Sequence, residues 1–183
     1  VGAFEPFDPA GREQIRKRIK PLFEAVKKKY HGLFKGNEEI TLSDRALAFI
    51  VSELARYDFG RTDVDAKGTA YQEIVGTNLR GDRGQYFTPR GAIRLVVQML
   101  APKEHERVLD SSCGTGGFLV ETLNYLNKQF QEEKHVKAGE ENTDEFLSIR
   151  ERLASYAAKN LFGADFDPFL VRAAQMNVMM ASN

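Results

Sequence analysis

The chain has 183 residues, 42% of them hydrophobic, with 13 Phe and no Trp, enough for one well-filled core or a small core with a helical appendage. Basic and acidic residues each number 26, so the formal net charge of zero gives no overall push towards nucleic acid. A single cysteine, Cys113, excludes an internal disulfide and a cysteine-rich metal site; His31, His105 and His135 have no ligand spacing, so no metal is expected. No apolar run reaches the ~18 residues of a membrane span and no signal peptide opens the chain, so a cytoplasmic location away from membranes is expected. The charge is unevenly placed. Residues 1–35 hold nine Lys and Arg against four acids, and residues 132–151 hold seven acids against three bases. A basic arm can track a phosphate backbone, but a charge run on a helix is more often a solvated face.

Residues 8–35 open on Asp8-Pro9, a helix start, and carry Ile15, Ile19, Leu22, Phe23, Val26 and Tyr30 at helical spacing. Pro21 is expected to kink or split that helix. After a turn at 32–37, Ser43 is the expected cap of a second helix reaching Tyr57, with Leu47, Ile50, Val51 and Leu54 on its apolar face. A short helix near 69–75 leads into a polar, glycine-rich connection over 76–84. Up to that point the pattern is all-helical, and residues 1–80 read as one helical domain.

Residues 81–183 have a different character. Thr88-Pro89 predicts a helix with a capping hydroxyl and proline at its first position, carrying Ile93, Val96, Val97 and Leu100 until Pro102 ends it. A strand at 107–110 runs into a glycine turn and a helix over 116–131. An acidic, exposed loop at 131–142 precedes a helix over 143–159 and a second strand at 161–165. Asp167-Pro168 then starts the last helix, with Leu170, Ala174 and Val178 at helical spacing. This alternation predicts an α/β layer with a parallel sheet. Two strands make an incomplete sheet, so the remaining strands are expected beyond Asn183. The chain begins at Val1 rather than Met and ends in mid-pattern, as a fragment would.

The strongest local signal is Val108-Leu109-Asp110-Ser111-Ser112-Cys113-Gly114-Thr115-Gly116-Gly117-Phe118. A hydrophobic strand ends in a carboxylate and a glycine turn opens a helix, at the strand end where open α/β sheets bind ligands. The dinucleotide fingerprint fails at its third glycine, because Leu119 stands there. A carboxylate just before the loop repels a pyrophosphate and suits a cationic ligand. The second signal is Gly163-Ala164-Asp165-Phe166-Asp167-Pro168: Asp165 sits where nucleotide-binding folds accept ribose hydroxyls, and Asp167 reads as the helix cap. The blander reading makes both acids caps. The third signal is Gly84-Gln85-Tyr86-Phe87-Thr88-Pro89, two aromatics before a helix start whose amides favour a carboxylate.

In this order the three motifs resemble those of the DNA adenine-N6 methyltransferases whose Phe-x-Thr-Pro element comes first. Upstream, Asp65, Gly68, Ala70, Tyr71 and Val75, followed by Asn78-Leu79-Arg80-Gly81-Asp82-Arg83-Gly84, resemble the helical region of modification subunits of type I restriction–modification systems and some single-chain relatives. Downstream, Pro168, Phe169, Val171, Arg172, Ala174, Met176 and Asn177 fit the helix after the second strand. The resemblance covers about residues 45–183. It implies a Rossmann-like domain, begun here but incomplete, that binds S-adenosylmethionine.

On that resemblance Gln85, Tyr86, Phe87, Thr88, Pro89 and Arg90 border the methionine end of the cofactor, with Thr88 receiving its carboxylate. Asp110 holds the amino group, Gly114, Thr115, Gly116 and Gly117 shape the loop, and Asp165 takes the ribose hydroxyls. Cys113 occupies the family's small-residue position as a packing group. Ser111-Ser112 replaces the family's usual Pro-Ala, giving a more polar, less rigid loop. Double-stranded DNA, a specificity subunit and an endonuclease subunit are the implied partners. The family holds the flipped adenine with an Asn-Pro-Pro-aromatic loop. No Asn-Pro occurs in the 183 residues, so no catalytic residue is expected before Asn183 and the chain alone is expected to be inactive. Competing readings are methylation of a protein glutamine, a catalytically degenerate DNA- or partner-binding subunit, and a nicotinamide dehydrogenase, the last disfavoured by the failed fingerprint.

Overall fold

A computed structural model describes residues 9–34, 36–55, 88–135 and 144–182. The chain divides into two compact units, Val1–Gly60 and Arg61–Asn183. The expected helix near 69–75, the connection at 76–84, Gln85, Tyr86 and Phe87, and a boundary at residue 80 lie outside the described residues.

In the first unit α1 (Pro9–Lys29) packs on α2 (Asp44–Leu54). Helix α1 runs through Pro21 without being split. Pro21 is exposed, so the carbonyl one turn back that loses its amide partner is accessible to water, which lowers the cost of an interior proline. Ser43 caps α2 as expected, its Oγ accepting the Ala46 N–H at 3.3 Å. The buried face of α2 is turned from the expected one. Leu47 and Ala48 meet Ile15, with Ile19, Ile40 and Val51 around them, while Ile50 and Leu54 remain exposed. Alanine is too weakly apolar to stand out in the periodicity, yet its small side chain lets the two helices approach. Arg16 adds a polar clamp, pairing with Asp44 and donating to the carbonyls of Ile40 and Leu42.

The second unit has α3 (Arg90–Leu100), β1 (Val108–Asp110), α4 (Gly117–Lys134), α5 (Asp144–Lys159), β2 (Leu161–Gly163) and α6 (Pro168–Ser182). The two strands pair in parallel, with Val108 opposite Leu161, Leu109 opposite Phe162 and Asp110 opposite Gly163, matching the predicted order. Helix α4 contacts α3, α5, α6 and both strands. Its Leu123, Leu126 and Phe130 meet Ile149, Leu153 and Tyr156 of α5 and Ala181 of α6 in the main core. The expected apolar face of α3 is only half covered: Ile93 and Val97 are buried, but Val96 and Leu100 are exposed. Periodicity reports which residues share a face, not how far a neighbour covers it.

Polar groups lock the far end of this core. The Arg152 guanidinium lies 3.8 Å from the Phe130 ring centre and donates to Glu104 at 3.0 and 2.7 Å and to Glu133 at 3.2 Å. Asn160 Nδ2 donates to the carbonyls of Glu104 and Glu106 at 3.1 and 3.2 Å, tying the start of β2 to the approach of β1. Tyr156 is buried among the apolar side chains, and its hydroxyl has no hydrogen-bond partner among the described residues.

Chemical denaturation distinguishes the two kinds of core position. Leu123→Ala, at a site with 0% exposure, is expected to cost about 2–5 kcal/mol, because transfer and cavity terms add. Tyr156→Phe removes an unpartnered buried hydroxyl and is expected to be neutral or stabilising by up to about 1 kcal/mol. A large loss in Tyr156→Phe would mean the hydroxyl has a partner.

Candidate functional site at the strand ends

The register brings the carboxyl ends of β1 and β2 side by side, and the two loops that leave them are bonded to each other. The ladder continues past the strands: Ala164 N–H donates to Asp110 O and Cys113 N–H to Ala164 O, both at 2.9 Å. The Gly114 N–H then reaches Asp165 Oδ2 at 2.9 Å, while Asp165 Oδ1 accepts the Asp167 N–H at 3.0 Å. Asp165 is therefore a tie between loops and not a helix cap. Asp167 is the cap of α6, its Oδ1 accepting the Phe169 N–H at 2.8 Å, with Pro168 at the first helical position.

The glycine turn has two sides. Gly114 has φ +52°, and nothing among the described residues lies within 4 Å of where a Cβ would stand, so that side is open among them. Gly116 has φ +84° and lies against α6, where a Cβ would come 3.3 Å from the Ala174 Cα and Cβ. Both positions need a left-handed residue, but one faces space and the other faces protein. From below, the fully buried Asn177 of α6 donates its Nδ2 to the Thr115 carbonyl at 3.1 Å. Its Oδ1 has no partner among the described residues.

Asp110 stands at the end of β1, where its Oδ1 accepts the Ser112 N–H at 3.2 Å. That bond uses a backbone amide and not the Ser112 side chain, so the expected loss of rigidity from Ser111-Ser112 does not touch it. Cys113 is buried, and burial, reinforced by the negative charges of Asp110 and Asp165, pushes its thiol pKa up. This environment suits a packing group and disfavours a thiolate nucleophile. Thr88, Pro89 and Arg90 are exposed at the start of α3. Pro89 is extended, with φ −55° and ψ 134°, so it takes the cap position and the helix begins at Arg90; no side chain caps it. The helix thus starts one residue later than expected, so Thr88 does not supply the expected hydroxyl cap and Pro89 stands at the cap and not at the first helical position. Ile93, one turn along α3, lies 3.0 Å from where a Cβ on Gly117 would stand, so this helix adjoins the loop.

The structure thus gathers Asp110, Cys113, Gly114, Thr115, Gly116, Gly117 and Asp165 at one place. Two further residues belong to it. Phe166, between the two acids, is fully exposed, and an aromatic on a two-acid turn was its only sequence signal. Asn177, named from the sequence only within the family resemblance, is the polar exception in the buried stripe of Ala173, Ala174 and Ala181. Among the described residues no group of three or more acids, histidines or cysteines could hold a metal ion.

The N-6 DNA Methylase family matches residues 62–182. The chain is 33% identical over 110 residues to the type I restriction enzyme MjaVII methylase subunit of Methanocaldococcus jannaschii, covering 57% of this chain and 19% of that one. It is 30% identical over 130 residues to the EcoKI methylase subunit of Escherichia coli, covering 65% of this chain and 24% of that one. A crystal structure from Vibrio vulnificus, of a modification subunit assigned to a type I restriction enzyme, superposes with a TM-score of 0.54 at 27% identity. That match covers 82% of this chain and 28% of the other. The chain thus spans less than a third of the length of these relatives.

Thiol labelling probes the loop directly. A raised pKa lowers the thiolate fraction at any given pH, so Cys113 is expected to label on the order of tenfold more slowly in the folded chain at pH 8 than in denaturant. Equal rates would mean that the loop opens freely.

Proposed function

The chain belongs to the N-6 DNA methylase family, and from that membership we propose that its second unit begins a Rossmann-like domain holding S-adenosylmethionine for methylation of adenine N6 in DNA. The observation that carries this reading is the tie between the glycine loop and Asp165, with Asp110 beside it and the Gly114 side open. Among the described residues the glycine loop is lined at the strand ends by the carboxylates of Asp110 and Asp165, which suits a ligand that carries positive charge and a ribose but no phosphate.

Asp110 would hold the amino group, since among the described residues only its Oδ1 is engaged, by the Ser112 amide. Asp165 would accept the ribose hydroxyls: two backbone amides fix its carboxylate, and each oxygen keeps a further lone pair. The exposed ring of Phe166 offers a face on which an adenine can stack. Thr88, Pro89 and Arg90, with Gln85, Tyr86 and Phe87 before them, would border the methionine end, whose carboxylate is favoured by the amides opening α3. Bound there, the cofactor supplies an electrophilic methyl group, so the chain's own contribution is position and charge.

The Asn-Pro-Pro-aromatic loop that would hold the flipped adenine is not among the 183 residues. The chain alone is therefore proposed to bind cofactor without turnover. In the complete system double-stranded DNA is the substrate, and a specificity subunit and an endonuclease subunit are the partners. The first unit is proposed to face the specificity subunit, a reading supported by Phe49 and Ile50 exposed on α2. A cytoplasmic setting follows for an enzyme of DNA, and among the described residues no helix is long and apolar enough to cross a membrane.

Calorimetric titration with S-adenosylmethionine tests the cofactor reading. Binding is expected, with Asp165→Asn and Asp110→Asn each weakening it by on the order of tenfold or more, and Phe166→Ala by several-fold. No binding, or no loss in either acid variant, would sink the cofactor assignment. Transfer of labelled methyl to DNA by the chain alone would overturn the division of labour.

A further inference from the structure

We infer that Asn177 is a positioning residue for the cofactor loop, holding the peptide between Thr115 and Gly116 in one of its two available orientations. The inference rests on the cofactor reading above and extends it to a residue that lies beneath the loop. Asn177 has 0% exposure, and its Nδ2 donates to the Thr115 carbonyl at 3.1 Å, across 62 residues of sequence. Thr115 is itself buried, so without that donor its carbonyl would lose the one side-chain partner seen among the described residues.

The peptide needs such a hold. Gly116 follows it with φ +84°, and a glycine there also tolerates the opposite sign. A half-turn of the peptide is therefore sterically cheap on the Gly116 side. It would swing the Thr115 carbonyl away from α6 and break the 2.7 Å bond from the Gly116 N–H to the Cys113 carbonyl. The latter bond is local to the soft turn, whereas Asn177 anchors the turn to a rigid helix. The same helix sets the loop's height, because Ala174 leaves no room for a Cβ on Gly116.

The residue type argues against a purely structural role. Asn177 occupies a core position beside Ala173, Ala174 and Ala181, and its Oδ1 has no partner among the described residues. An unpartnered buried acceptor destabilises a fold, and a leucine, with the same branching and number of heavy atoms, carries none. What leucine cannot do is direct the Thr115 carbonyl.

The test compares wild type with Asn177→Leu and Asn177→Asp, the second keeping the shape but replacing the donor by an acceptor. Three quantities are measured: affinity for S-adenosylmethionine, amide hydrogen exchange at residues 114–117 and within α4, and the denaturation midpoint. The expected result in Asn177→Leu is a midpoint changed only slightly, because removal of the unpartnered Oδ1 offsets loss of the Thr115 bond, with unchanged exchange in α4, faster exchange in the loop, and affinity lower by about tenfold. Asn177→Asp should loosen the loop at least as much. Loop exchange and affinity unchanged in both variants would overturn the inference. So would an affinity loss accompanied by a lower midpoint and faster exchange throughout α4, which marks a structural role alone. If the wild-type chain binds no S-adenosylmethionine, the cofactor reading fails, and loop exchange in the Leu variant still decides whether Asn177 holds the turn.

Discussion

The pairing of Asp110 with Gly163 across the two parallel strands is the constraint from which the rest of the site follows. It sets the two strand ends level, so that the loops leaving them can exchange the Ala164–Asp110 and Cys113–Ala164 backbone bonds and then the Gly114–Asp165 bond. A slip of one residue would displace Asp165 by roughly 3.3 Å and put its neighbours on the wrong face. Gly163 guards the register: a Cβ there would stand 2.8 Å from Leu119 Cδ1 and 3.1 Å from Cys113 Sγ. Any side chain at that position would push the first turn of α4 or the loop itself.

The helices behind the strands maintain this register. Leu119, Cys113 and Ala174 form a small cluster, with Leu161 and Val178 packed against it, directly under the turn. The larger cluster of α4, α5 and α6 lies further along the same helices. Packing is therefore continuous from the main core to the floor of the loop. On the other side of the two strands Leu109 and Phe162, a register pair, are exposed at 68% and 44%. Scaffold and site are separated within three residues of each strand.

Much of this was legible because strand-end chemistry is written in consecutive residues. The run of strand, acid, glycine turn and helix survives any uncertainty about element ends, and so does an acid followed by a capped helix. The parallel pairing followed from the alternation of elements. What could not be read depends on contacts between segments far apart in sequence. Whether Ile93 and Val97 or Val96 and Leu100 of α3 are covered depends on where α4 lies. Pro21 looked like a break because its cost was judged without knowing that it faces water. Asp165 was read as the ribose acid beside the cap Asp167, but its bond to an amide 51 residues earlier could not be read from the sequence. Composition was least informative of all. A chain of zero net charge still places Asp110, Asp165 and Asp167 at two neighbouring strand ends.

The glycines of the turn show how one residue type answers two demands. On the open side Gly114 leaves backbone approachable, and on the packed side Gly116 lets α6 come close. Freedom on the first side becomes a liability on the second, since a backbone that can be approached closely can also change conformation. The fold answers with a polar group where the local packing calls for an apolar one. Asn177 gives up a satisfied Oδ1 to direct a single carbonyl, in the helix whose alanines bring it within reach. Tyr156 and Asn124 also leave buried polar atoms without partners among the described residues, but neither bonds to the turn. The contrast separates a polar atom that orders the loop from those the core merely tolerates. It also explains why a site built on soft backbone depends on a helix that supplies no group to its open side.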